Sequence, residues 1–297
     1  MNEYVILTDA AADHAETFMN RYPGFEIIPM EVTVNRKQYI YGGSQSEITC
    51  NTFYTFERSG CQTSTVLISP ETYARYFRKY AEKKTDIIYL SFSSGMSGTF
   101  QSANLAASEI RESYSDIRIT CIDSLNAATA QGFLVHEALK QKEAGLTYDE
   151  MIQWIEDRRL RVGAYFAVDT MEYLVKGGRI SPAAASVGTA LHIRPVLTIN
   201  ELGKLQVVTR QRGMRQAMKV LVQIMSNTYV PEDSSYTLIC HADAPEYAEE
   251  LKNMVCEKFP GAEIEIGEID PIIGAHTGPG MISLVFWGKS RKKDTFA

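Results

Sequence analysis

The sequence predicts a two-domain α/β protein: an N-terminal, mostly parallel sheet with helices on both faces, then a C-terminal α+β domain with antiparallel pairing. Three observations carry this. The first half alternates short apolar runs with helical stretches, the pattern of parallel strands joined by crossover helices. The second half holds VLTI and LQVVT on either side of NELGK, a hairpin signal with glycine in its turn. The chain has 297 residues, enough for two domains of ordinary size. Gly145 and Gly163 bracket a helical segment at the approach to the boundary, which divides the chain into 1–160 and 161–297.

The elements follow in order. Residues 4–8 (YVILT) read as a buried strand, residues 25–34 as one or two short strands, and 87–92 and 117–122 as two more. Helices are expected over 70–83, 100–114 and 127–143; Ser69-Pro70-Glu71 supplies a cap, a first-turn proline and an acid at the positive end of the first. In the second half, 164–168 leads to a short helix stopped at Gly177-Gly178. Residues 236–240, a helix over 245–258, and strands over 263–269 and 281–287 complete the pattern.

Composition narrows the function classes. With 45% hydrophobic and 22% charged residues the chain is globular, and a net charge of −6 with a pI near 5.5 argues against nucleic acid as the main partner. Five scattered cysteines without a CxxC pair suit a reducing compartment and give no zinc site. The first residues do not read as a signal peptide, and the uncharged run 87–108 is too rich in Ser, Gly and Asn to span a membrane, so the expectation is a cytoplasmic protein. There is no GxxxxGK[ST], no GxGxxG after a strand, no GxSxG and no HExxH.

Several loops carry chemistry. SFSSGMSGT (91–99) joins a strand to a helix. Its glycines let a ligand approach the backbone, the hydroxyls of Ser94, Ser97 and Thr99 can donate, and the helix start favours an anion. The plainer reading is a helix cap. Gln62-Thr63-Ser64-Thr65 is a second hydroxyl cluster, equally a turn. IGAHTGPG (273–280) places His276 in a glycine-rich loop, with no partner histidines at a metal spacing. LVKGGRISP (174–182) reads as a helix stop and restart, with Arg179 expected to pair with a carboxylate of its own fold. Arg210, Arg212, Arg215 and Lys219 cluster where a helix is expected to begin, either a solvated face or a surface for an anionic partner. Small residues over 183–193 could line a tunnel or pack a helix closely on a sheet.

In this order, VILTDAAAD, QTST, LSFSSGMSGTFQSA, ITCIDSLNAATAQG, YLVKGGRIS, IRPVLTINELGKL, RQR and IGAHTGPG resemble the DegV family, similar to the fatty-acid-binding subunits of bacterial fatty acid kinase. The resemblance spans essentially the whole chain. It implies a non-enzymatic carrier that binds one long-chain fatty acid in an apolar tunnel and needs no other cofactor. A separate ATP-dependent kinase subunit would convert the presented carboxylate to an acyl phosphate, and transient membrane contact is compatible with this role. Carried over by motif, Thr63 with Ser64, Ser97 with Gly98, and His276 with Thr277 would surround the head group, and Arg212 would meet the kinase or the phosphate. Two departures stand out. TSTVLISPE is about two residues longer than the usual run, so Ser64 or Thr65 could replace Thr63, and DAAAD lacks a hydroxyl at Ala10. The rival readings are a hydrolase or acyltransferase with Ser97 as nucleophile and His276 as base, and a carrier of another lipid acid without a kinase partner.

Overall fold

The structure, a computed structural model, describes residues 3–185, 192–230 and 234–292. Strands β1 (Tyr4–Asp9) and β2 (Phe25–Ile28) begin a parallel sheet. Strands β3 (Met30–Val34), β4 (Lys37–Tyr41) and β5 (Thr63–Val66) form a separate antiparallel sheet in the order β4-β3-β5. Strands β6 (Asp86–Ser91) and β7 (Ile119–Asp123) return to the first sheet and complete its order, β2-β1-β6-β7, parallel throughout. Every residue of β1 and β6 is buried, as a parallel sheet covered on both faces requires.

The second half builds one six-stranded sheet from β8 (Val162–Ala167), β9 (Ile193–Ile199), β10 (Leu205–Arg212), β11 (Tyr236–His241), β12 (Glu263–Glu268) and β13 (Ile282–Trp287). Its order is β10-β9-β8-β13-β11-β12, antiparallel except for the β11–β12 pair. The predicted fold class is therefore the observed one, with the small β4-β3-β5 sheet as an addition.

Between the sheets runs the helix Thr129–Glu143. Its residues from Thr129 to Leu139 are all buried, the signature of a helix enclosed on every side. It touches β8, β11 and β13 of the six-stranded sheet, and Gly132 lies so close to β1's continuation that a β-carbon there would sit 2.0 Å from the Asp13 carbonyl oxygen. One continuous core joins the parallel sheet to this helix and to β8, β11 and β13. Helix starts follow local chemistry: Ser69 Oγ accepts the Thr72 N–H ahead of Pro70–Ala81, and Thr147 and Glu150 form a reciprocal cap for Tyr148–Arg158. No helix among the described residues is long and apolar enough to cross a membrane.

Three local expectations are corrected. Thr63–Val66 is the edge strand β5 rather than a loop, because β3 offers it a pairing edge. His276 lies in the last turn of a helix, Pro271–Thr277, which Asp270 starts by accepting the Ile272 and Ile273 N–H groups. Arg210 and Arg212 belong to β10, and only Arg215 and Lys219 fall in the helix Met214–Thr228. Of the small-residue run 183–193, residues 186–191 lie outside the described residues.

Candidate functional site

A cavity of about 370 Å³ opens where the parallel sheet, the small sheet and the six-stranded sheet meet. Its walls are mainly apolar, from Met30, Phe92, Met96, Phe166, Ile199 and Val285 among others. The polar lining is sparse: Thr65, Ser97, Thr99, Thr129, Arg179, His276, Thr277 and Ser283. A largely apolar cavity with few, placed polar groups is the ordinary form of a small-molecule site.

The hydroxyl-rich loop after β6 is held from below. Asp9, at the end of β1, is buried and accepts from the Phe92 and Ala11 N–H groups, Tyr89 Oη and Gln131 Nε2. Asp123, at the end of β7, accepts from the N–H groups of Ser94 and Leu125. Ser93 Oγ donates to the Gly203 carbonyl at 2.8 Å, docking the NELGK hairpin of the second sheet onto the loop. Gly203 has φ +68°, and a β-carbon there would meet Ser93 Oγ at 2.0 Å; one on Gly95 would meet the Leu202 carbonyl at 2.5 Å. Both glycines are thus required by close approach. This architecture uses up Ser93 and leaves Ser97 facing the cavity. Ser97 Oγ is 2.7 Å from Thr99 Oγ1 and accepts the N–H of Thr99, the first residue of the helix Thr99–Ser113, whose cap residue Gly98 has no side chain to bond the N–H groups that follow. The positive end of that helix therefore faces the cavity lining.

On the opposite wall, Thr65 Oγ1 is 2.8 Å from His276 Nε2. His276 Nδ1 is buried without a hydrogen-bond partner, and Gly177 packs against it so closely that a β-carbon would lie 2.4 Å away. Burial, and then the nearby Arg179 guanidinium, hold the imidazole down at about 4, so it is neutral at pH 7. Arg179 donates to the Gly177 carbonyl and has no carboxylate partner among the described residues. The expected internal ion pair is not made; the guanidinium stands in the cavity wall, its own pKa lowered by burial.

The structure brings Ser97, Gly98, His276 and Thr277 to one cavity and leaves three sequence-derived candidates outside it. Thr63 donates to Glu57 Oε1 at 2.8 Å, Ser64 is exposed on the other face of β5, and Arg212 is exposed at the end of β10 opposite Ile193. Thr65 stands where Thr63 was expected, two residues along the same face of the strand. Ser97 and His276 are each hydrogen-bonded elsewhere, and no acid orients the histidine, so the arrangement a serine hydrolase needs is not formed. Among the described residues no cluster of three His, Cys, Asp or Glu side chains could hold a metal ion.

Fold and cavity together define an α/β protein with two principal sheets, built around an internal pocket for a mainly apolar small molecule. The chain belongs to the DegV family, described as uncharacterised proteins, whose pattern matches residues 3–289. A DegV domain-containing protein of Clostridium perfringens is 33% identical over 98% of this chain and 100% of its own. Among solved structures, a DegV lipid-binding protein of Thermotoga maritima superposes with a TM-score of 0.82 at 29% identity, covering 98% of this chain and 100% of its own. A DegV protein of Thermus thermophilus, described for fatty acid binding, gives 0.83 at 27% identity, covering 97% and 100%. The fold is also that of a Streptococcus pneumoniae fatty acid kinase B3 protein loaded with linoleic acid, at 20% identity, a TM-score of 0.84 and coverage of 97% and 100%.

Proposed function

We propose that this protein binds a long-chain fatty acid and presents its carboxylate to a separate, ATP-using kinase subunit for acyl phosphate formation. The observation that carries the reading is an apolar cavity whose wall holds an arginine, without a carboxylate partner among the described residues, beside a neutral histidine and donor hydroxyls. The acyl chain gains roughly 0.8 kcal/mol for each methylene taken from water. Arg179, Ser97, Thr65 and the start of the Thr99–Ser113 helix select an anionic head group, and the same groups accept either a carboxylate or an acyl phosphate. Neutral His276 contributes a hydrogen bond rather than a charge. Support for the kinase partner comes from likeness to the fatty acid kinase B3 protein.

The test is to add palmitate, ATP and a bacterial fatty acid kinase ATP-binding subunit to the delipidated protein. Acyl phosphate, trapped with hydroxylamine, is expected only when all components are present. Tight palmitate binding without acyl phosphate, across several kinase subunits, would reduce the function to lipid carriage alone.

A further inference from the structure

A second, smaller cavity of about 120 Å³ meets the same His276-bearing helix. The helix body, through Ile272, Ile273, His276 and Thr277, lines the large cavity, while its cap Asp270 lines the small one. Asp270 is buried, as is Asp13 at the end of the DAAAD segment. Asp13 Oδ1 accepts the Asp270 N–H at 3.1 Å, and Asp13 Oδ2 accepts from Thr129 Oγ1 at 2.9 Å, so the two buried acids are neighbours. Burial, and for Asp270 the adjacent Asp13 charge as well, push both carboxyls up, which favours a proton kept on the pair. Thr129 Oγ1 also meets Ser283 Oγ at 2.8 Å, and both residues line the ligand cavity.

We propose that Asp13 and Asp270 share one proton, and that this proton positions the Pro271–Thr277 helix, and with it His276, for ligand retention. The inference rests on the fatty-acid reading above. Loss of the proton places two negative charges together in a site that water barely reaches. Repulsion then displaces the cap of the helix and disturbs the Thr129–Ser283 contact in the cavity wall. The small cavity gives Asp270 its route to solvent.

The groups facing the pair supply no compensating cation. Tyr41 and Cys50 across the small cavity, Tyr54 on the Cys50–Arg58 helix and Cys240 on β11 are all pushed up by burial and stay neutral. Glu16 and Glu268 add only acid, and His14 is engaged through Nε2 with Glu265 at 3.0 Å. No lysine or arginine lines the small cavity among the described residues.

The test uses the full-length, delipidated protein with aspartate labelled at its side-chain carboxyl. An infrared band for a buried, protonated carboxyl is expected at neutral pH and is expected to vanish in Asp270→Asn. Equilibrium dialysis with radiolabelled palmitate from about pH 6 to about pH 9.5 should show wild-type affinity falling about tenfold or more. In Asp270→Asn, whose amide donates permanently to Asp13, affinity should change less than about twofold over the same range. Asp13→Asn, whose amide oxygen still accepts the Asp270 N–H, should likewise lose the pH dependence. A wild type without the band, or variants as steep as wild type, overturns the proposal. Palmitate bound at no pH would overturn the fatty-acid reading instead, and the infrared band would then decide the shared proton by itself.

Discussion

The two cavities that meet the Pro271–Thr277 helix are opposites in what their polar groups have left to give. At the small cavity Asp270 is consumed by the protein itself as the helix cap, and Asp13 behind it takes its bonds from Thr129 and Asp270. In the large cavity the polar groups are a smaller share of the lining, yet capacity is left over. Among the described residues Arg179 bonds only a backbone carbonyl, His276 Nδ1 has no partner, and the Thr99–Ser113 helix start has no side-chain bond beyond that of Ser97 to its first N–H. Buried polar groups are normally satisfied. Unspent hydrogen-bonding capacity, rather than the number of polar residues, therefore marks the ligand site.

That contrast can be broken or sharpened by substitution. The largest effect is expected from Arg179→Met, which removes the cation from the cavity wall. A charge-assisted hydrogen bond is worth about 1.5–3 kcal/mol, so palmitate affinity should fall roughly 10- to 100-fold in equilibrium dialysis. An unchanged affinity would leave the head group without its anchor and refute the placement. Gly177→Ala should come next: a β-carbon 2.4 Å from His276 Nδ1 must displace the imidazole. The Thr65–His276 bond would be lost, and the His276 ring resonances should shift in a nuclear magnetic resonance spectrum. Ser97→Ala removes a neutral donor, worth about 0.5–1.5 kcal/mol, and should weaken palmitate about threefold to tenfold.

A sharper comparison lies within β5. Thr65→Val should weaken binding about as much as Ser97→Ala, whereas Thr63→Val should leave affinity within about twofold and lower stability, since Thr63 serves Glu57. Equal losses of affinity in both would show that the strand is read in the wrong register. The smallest effect concerns Glu57, which burial pushes up to about 7 against the opposing Thr63 hydrogen bond and Lys176 charge. Between the unfolded carboxyl value near 4.3 and about 7, the native state keeps a proton that the unfolded chain has lost. Stability therefore falls as pH rises through that window. Glu57→Gln cannot ionise, so thermal melts from about pH 4.5 to about pH 7.5 should lose a decline of a few degrees seen in the wild type.

Much of the fold was legible because it is written in local pattern. The apolar runs of β1, β6 and β7 and the hairpin turn at Gly203 announce themselves. β5 did not: TSTV is polar and short, and it becomes a strand only because β3 lies beside it. The His276 helix was hidden by the glycines around it, although Asp270-Pro271 is a readable cap followed by a first-turn proline. The site was half legible. Ser97, Gly98, His276 and Thr277 share the cavity, but Thr63 faces Glu57, and Arg179 lacks the carboxylate expected for it among the described residues. Pairing of a buried charge is a property of three-dimensional neighbours, as is the meeting of Asp13 with Asp270 across 257 positions of sequence. No periodicity encodes either.

The most direct measurement is native mass spectrometry of the protein as purified, with organic extraction and identification of what is released. An equimolar long-chain fatty acid is expected, released by solvent and restored to the empty protein by added palmitate. A protein that is empty as purified and takes up no fatty acid would contradict that expectation.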